Sequence, residues 1–265
     1  MKKKLLVLTS TFPRWKNDTI PPFIYELTRR LTKNFDITVL SPNFPGSMKE
    51  EIMDGMKIKR FRYYIKKWET LANYEGILPT LNKNKFNYLK FLFLVLSEFI
   101  HLRKEIKENY PDVIHAHWII PQGFVAAICK KIYGTPYVIT THGGDIFGLR
   151  GRLPTMIKRF AFKNANKITA VSNVIRKEIL TKINKNLNIE VISMGVDPHL
   201  FNQNKRDLSI KKKYKIDGSF LLFVGRLTEK KGIKYLIEAM PEVVRGFPKA
   251  KLMIIGTGNL EKDLK

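Results

Sequence analysis

Two short stretches hold residue types whose spacing suits phosphate or sugar binding. Phe220 to Ile233 reads FLLFVGRLTEKKGI, an apolar run that ends in Gly225-Arg226 and passes through Lys230-Lys231-Gly232 into a helical pattern. A glycine lets backbone approach a diphosphate, and Arg226 and Lys231 put positive charge where helix amides already favour an anion. The second stretch, Thr141-His142-Gly143-Gly144-Asp145, follows another apolar run. The His142 imidazole is therefore expected at the mouth of a crevice, where Gly143 and Gly144 allow close approach of a ligand. Upstream, His115 and His117 alternate, so both rings face one side of a strand, and Trp118 offers a flat surface to a sugar or lipid head group. A metal pair at these histidines would need further ligands, and no Cys, His or carboxylate stands near them at ligand spacing, so no metal is expected.

These residues need elements to hold them. Short Val/Ile/Leu runs alternate with longer segments of helical period. The pattern predicts strands at 4–9, 37–40, 57–61, 113–117, 137–141, 168–171, 189–192, 220–224 and 252–255. Helices are predicted at 22–32, 88–108, 122–132, 155–162, 173–182 and 231–244. Such βαβ alternation implies α/β architecture with parallel sheets covered on both faces. Ligands of open parallel sheets bind beyond the carboxyl ends of the strands, which is where His117-Trp118, His142 to Asp145 and Gly225-Arg226 fall. A polar, lysine-rich stretch interrupts the alternation at 202–217. It reads as a linker between an N-terminal domain, 1–201, and the start of a second, 218–265.

With 48 Lys+Arg against 23 Asp+Glu in 265 residues, the formal charge is +25, so a partner or surface carrying negative charge is expected. No nucleic-acid recognition motif or basic recognition helix accompanies that charge, so nucleic acid is set aside. Cys129 is the only cysteine, which excludes an internal disulfide and fits a reducing, cytoplasmic setting. Leu5 to Leu8 is too short for a signal-peptide core, and Phe91 to Leu96 falls well short of the ~20 apolar residues of a spanning helix.

The ordered set HAHWIIPQG, THGGD, AVSN, VISMGVDPHLF, FVGRLTEKKGIKYLIEAM and MIIGTGNLEKDL resembles the retaining nucleotide-sugar glycosyltransferases of family 4, the "group 1" transferases. The resemblance runs the whole length of the sequence and implies the GT-B fold, two Rossmann-like domains. It further implies hexosyl transfer from a UDP- or GDP-sugar to a lipid or polysaccharide acceptor of the cell envelope, without metal or other cofactor. On this pattern Gly225, Arg226 and Lys231 bind the donor diphosphate, and His142 lies beside the transferred sugar. His117, Trp118, Gly143, Gly144 and Asp145 line the acceptor side. Many members carry paired glycines after the first strand, where amides approach the donor phosphate. Here the loop reads Thr11-Phe12-Pro13-Arg14-Trp15-Lys16, with Arg14 or Lys16 as candidate substitutes.

The family's later E-x7-E glutamates are not present before Lys265. The expectation is therefore an acceptor domain joined to the first βαβ of a donor domain, inactive by itself. The alternative is an inert chain that binds an acceptor, a membrane or a partner subunit. Finally, Arg60 to Lys90 reads as one long loop mixing Arg62, Lys66, Lys67, Lys83 and Lys85 with Tyr63, Tyr64, Trp68, Tyr74 and Phe86. Basic residues interleaved with aromatics suit anionic lipid, giving a cytoplasmic protein peripheral to the membrane face; ordinary solvated side chains are the competing reading.

Overall fold

The computed structural model describes residues 2–18, 20–73, 76–207 and 209–264. Tyr74, one of the aromatics named above, lies outside them. The chain divides into two compact units, Met1–Gly195 and Val196–Lys265.

In the first unit the chain order is β1 (Lys3–Leu8), α1 (Phe23–Leu31), β2 (Phe35–Pro42), β3 (Glu50–Met53) and β4 (Met56–Phe61). Next come α2 (Ile77–Lys83), α3 (Phe86–Asn109), β5 (Val113–His117), α4 (Phe124–Tyr133), β6 (Tyr137–Thr141) and the four-residue α5 (Gly144–Phe147). The unit closes with α6 (Arg152–Asn164), β7 (Lys167–Ala170), α7 (Asn173–Lys182) and β8 (Glu190–Val191). The strands form one sheet in the order β3-β4-β2-β1-β5-β6-β7-β8, parallel except for the β3–β4 pair. Alternation along β1 shows why both faces are covered. Leu6 and Leu8 enter one buried cluster with Ile114, Ala116 and Ile139, while Leu5 and Val7 enter the other with Ile24, Ile37 and Val39.

The strand order reverses direction at β1. From there the chain builds β2 and β4 on one side and returns to β5 on the other, so the crevice beyond β1 and β5 is the expected ligand position.

Two features depart from the sequence expectation. Strand β3 was not foreseen; its signal is Asp54-Gly55, whose φ values of 45° and 80° make the tight hairpin turn back into β4. The supposed loop from Arg60 to Lys90 is largely structured, with a 3₁₀ turn at Lys66–Trp68, then α2 and the start of α3. A buried carboxylate organises it. Glu69 accepts hydrogen bonds from the amides of Tyr63 at 2.7 Å and Tyr64 at 3.2 Å and from the Asn43 side chain, and the Leu71 amide donates to the Tyr63 hydroxyl at 2.9 Å. Alternating polar and aromatic residues conceal this because the organising contacts are side chain to backbone.

The second unit carries a short helix, α8 (Ser209–Lys213), then β9 (Phe220–Val224), α9 (Ile233–Gly246) and β10 (Lys251–Ile255). Strands β9 and β10 are parallel and pair from Phe220↔Lys251 to Val224↔Ile255. Among the described residues, no helix is long and apolar enough to cross a membrane.

Candidate functional site

The site of the first unit grows from the carboxyl ends of β5 and β6. Their register sets His115 opposite Val138 and His117 opposite Thr140, so the histidines of β5 lie beside the strand that ends at His142. The His115 and His117 rings lie tilted against each other with centroids 4.2 Å apart, and His117 Nδ1 lies 3.0 Å from His142 Nε2. His115 Nε2 meets the Thr140 hydroxyl at 2.7 Å, and Thr140 meets Thr169 at 2.8 Å. Burial holds the pKa of His142 down to about 3, aided by the neighbouring His115. Burial alone lowers that of His115 to about 4. His117 is pushed well below its usual range by burial and then by its two neighbours. All three are neutral at pH 7.

Around His142 stand two rings, Phe23 at 5.3 Å and Trp118 at 4.8 Å, with Phe23 edge-on to Trp118 at 6.2 Å. Phe23 opens α1, beside the strand reversal, and was missed in the sequence because an isolated Phe at a helix start has no chemical signature. Trp118 adopts φ 72°, a left-handed conformation that a bulky residue holds only where its surroundings impose it. Its amide donates to the Thr140 carbonyl at 2.9 Å. Gly143 has φ 86°, and a Cβ there would sit 3.4 Å from Ile175, so this turn requires glycine.

Asp145 fastens the two strand ends together. Its carboxylate is buried and accepts from the Ile119 amide at 3.0 Å and the His142 amide at 3.2 Å. Burial raises its pKa to about 6 despite those bonds and the nearby Lys158. Lys158 itself donates to the carbonyls of Ile146 at 3.2 Å and Leu149 at 2.6 Å.

Of the residues picked from sequence, His117, Trp118, His142, Gly143, Gly144 and Asp145 therefore gather in one place. Two of them act from behind. His117 is wholly enclosed and reaches a ligand only through His142, and Asp145 grips backbone. Arg14 does not carry an uncommitted charge. Its guanidinium makes a two-pronged ion pair with Asp18, at 2.7 and 2.6 Å, between the rings of Trp15 and Phe44 at 4.6 and 4.4 Å. Burial would raise the Asp18 pKa, but the Arg14 bonds hold it below the usual carboxylate value.

In the second unit, the loops after β9 and β10 run on as a pair. The Gly225 amide donates to the Ile255 carbonyl at 3.0 Å and that of Leu227 to Thr257 at 2.9 Å. A Cβ on Gly256 would lie 1.8 Å from the Gly225 carbonyl, and one on Gly258 would lie 2.2 Å from that of Leu227, so glycine is needed at both. Arg226 and Lys231 are exposed on this platform. Lys231 ends a 3₁₀ turn, Glu229–Lys231, and Gly232 at φ 66° leads into α9, which begins at Ile233, two residues later than read from sequence.

Family models match at both units: "Glycosyltransferase Family 4" over residues 22–200 and "Glycosyl transferases group 1" over 204–265. The fold is the GT-B type of glycosyltransferase. The chain belongs to glycosyltransferase family 4. A Bacillus subtilis glycosyltransferase provisionally named for teichuronic acid biosynthesis is 31% identical over 163 residues, covering 60% of this chain and 41% of that protein. A glycosyltransferase of Methanocaldococcus jannaschii is 25% identical over 252 residues, 91% of this chain and 60% of its own. The chain thus spans about half the length of these curated relatives. Among solved structures, sucrose-phosphate synthase of Thermosynechococcus elongatus superposes with a TM-score of 0.70 at 14% identity, over 96% of this chain and 62% of that one. Anabaena HepE in complex with UDP-glucose does so with 0.63 at 15%, over 98% and 62%.

Proposed function

We propose that this chain serves hexosyl transfer from a UDP- or GDP-sugar, with retained anomeric configuration, to a lipid-linked or polysaccharide acceptor of the cell envelope. The observation that carries this reading is the position of His142. It is a neutral, half-buried imidazole between two aromatic faces at the strand reversal of a family 4 glycosyltransferase. Trp118 and Phe23 give an acceptor sugar apolar surface to rest on, with Gly144, whose missing side chain leaves open space, admitting it closely. Gly225 brings backbone near the donor diphosphate, and Arg226 and Lys231 neutralise the charge that grows on it as the sugar departs. In this reading these groups bind and stabilise without a metal ion.

A membrane-bound acceptor is favoured by the outer face of α3. Phe86, Leu89, Leu92, Phe93, Leu96 and Ile100 are all exposed there, and Trp68 stands edge-on to Phe86 at 6.4 Å. Lys67 lies over the Trp68 ring and Lys90 over the Phe86 ring, with Lys66 and Lys85 next to Lys67 and Phe86 in the chain. The combination suits insertion into an anionic leaflet, with aromatics at head-group depth and lysines on phosphate.

The donor half of the proposal is tested by calorimetry with UDP and GDP. Replacing Arg226 or Lys231 with alanine should weaken binding by about 1.5–3 kcal/mol, and unchanged affinity in both variants would remove them from the donor site. The membrane half is tested by vesicle flotation. Binding should need anionic lipid, fall with added salt, and vanish in a variant with Lys66, Lys67, Lys83 and Lys85 changed to Glu. Equal binding to neutral vesicles, or none to either kind, would dismiss it.

A further inference from the structure

The contact between His117 and His142 holds only one proton, and where it sits decides what His142 can do. Both rings are neutral at pH 7 through burial, so one nitrogen donates and the other accepts across 3.0 Å. If His142 donated from Nε2, the remaining proton of His117 would lie on its own Nε2. That atom is buried and has no partner among the described residues. An orphaned buried N–H is rarer in folded proteins than an orphaned acceptor, so the opposite arrangement is favoured. His117 then donates from Nδ1, its Nε2 keeps only a lone pair, and the His142 proton is left on Nδ1.

We propose that His117 is a positioning residue that fixes His142 as its Nδ1–H tautomer and thereby makes His142 a hydrogen-bond donor toward a sugar oxygen. Both His142 nitrogens are then spoken for: Nε2 accepts from His117, and Nδ1 carries the proton. A ring in that state cannot take a proton from an attacking hydroxyl, so His142 orients substrate rather than acting as a base. The surrounding groups leave the arrangement undisturbed. His115 is occupied with the Thr140 hydroxyl, the Asp145 carboxylate with the Ile119 and His142 amides, and Lys158 with two carbonyls. Because Asp145 grips the His142 backbone, the ring tautomer can be changed without moving the strand end.

The substrate role rests on the function proposed above, but the tautomer can be tested without it. Only five histidines occur in the sequence, so long-range 1H–15N spectra of the labelled chain should resolve each ring, with His142 assigned by the loss of its signals in His142→Asn. The wild-type spectrum should show a protonated Nδ1 and an unprotonated Nε2 on His142. A proton on Nε2 would overturn the proposal outright. In His117→Leu, the ring should revert toward the Nε2–H form that predominates in water. In His117→Asn, whose amide can donate from the place of Nδ1, it should stay as in the wild type; identical His142 tautomers in all three proteins would overturn the role of His117. In a transfer assay, the Leu variant should lose about tenfold in kcat, the equivalent of one hydrogen bond, with donor KM unchanged and the loss restored in the Asn variant. A correct tautomer with no such kinetic loss would overturn the substrate-facing part alone.

Discussion

The two units use the same βαβ grammar and differ in how much of it is enclosed. In Met1–Gly195 every central strand has neighbours on both sides, and residues such as Leu8, Ile114, Ile139 and Ala170 are buried. In Val196–Lys265, β9 and β10 have only each other among the described residues, and the buried apolar residues described there are Ile216, Leu227 and Ile233. Leu222 is 53% exposed and Val224 68%, although their sequence reads as interior strand. An identical pattern thus gives a core in one place and an open apolar surface in the other. What separates them is the number of elements packed around the strand, because a two-stranded sheet is marginal without covering layers.

Hydrogen exchange gives the sharpest test. Amides of β5 and β6 should exchange only through opening close to the global stability of about 5 kcal/mol or more, whereas those of β9 and β10 should approach the near-zero cost of frayed segments. Equal protection would mean that β9 and β10 are stabilised by something other than the packing described. Side-chain truncation should follow the same division. Leu102, a wholly enclosed residue of α3, should cost about 2–5 kcal/mol when changed to alanine. The Leu222→Ala change should stay within about 1 kcal/mol, read from urea unfolding midpoints, since little burial is lost. A larger penalty at Leu222 than at Leu102 would reverse the comparison.

That difference also explains what the sequence disclosed. Periodicity located β5, β6, α7 and β9 at their observed bounds, since strand and helix periods are written in the residues themselves. His142 was legible as a strand-end histidine before two glycines. The pairing of His117 with His142 was not, because it joins residues 25 positions apart and depends on strand register. Arg14 misled for a related reason. A basic residue in a phosphate-loop position looks available until its partner is seen, and Asp18 stood four residues along, the spacing of a local ion pair. The lysine-aromatic stretch pointed to a surface, yet the exposed apolar strip lies mainly on α3, which the sequence read as an ordinary covering helix. Glu69 and Glu98 carried no signal at all, since nothing in a glutamate's neighbours announces that it will be buried.

Glu98 sharpens the contrast by showing a cost that only a closed core can impose. Its carboxyl is wholly buried, with Gln122 beside it but no well-formed hydrogen bond, and burial lifts its pKa well above the usual carboxylate range. The folded state therefore keeps a proton that the unfolded chain releases above about pH 4.5, so Glu98 subtracts stability as pH rises from there toward its folded pKa. Glu98→Leu should raise stability at pH 7 by about 1–3 kcal/mol, the penalty of an unsatisfied buried polar group, and by less at pH 4. Denaturant titrations at the two pH values read this directly. A gain independent of pH would place the cost in packing, and a loss would show that Glu98 has a partner.

The smallest expected effect concerns how helices begin in each unit. Ser172 caps α7 through its side chain, which accepts from the Ile175 amide at 3.4 Å, and Ile175 and Ile179 are buried below. Thr228, before the turn that leads to α9, makes no such bond, and α9 starts instead from Gly232 in the left-handed region. N-cap replacement typically costs about 0.5–2 kcal/mol, and a bond this long puts Ser172→Ala at the lower end. The Thr228→Ala change should be within about 0.5 kcal/mol of neutral, since no cap is lost. Thermal unfolding followed by circular dichroism resolves the two. If Thr228→Ala proved the more damaging, α9 would depend on a cap that the observed geometry does not provide, and the contrast between a locally fastened first unit and an open second one would fail at its finest scale.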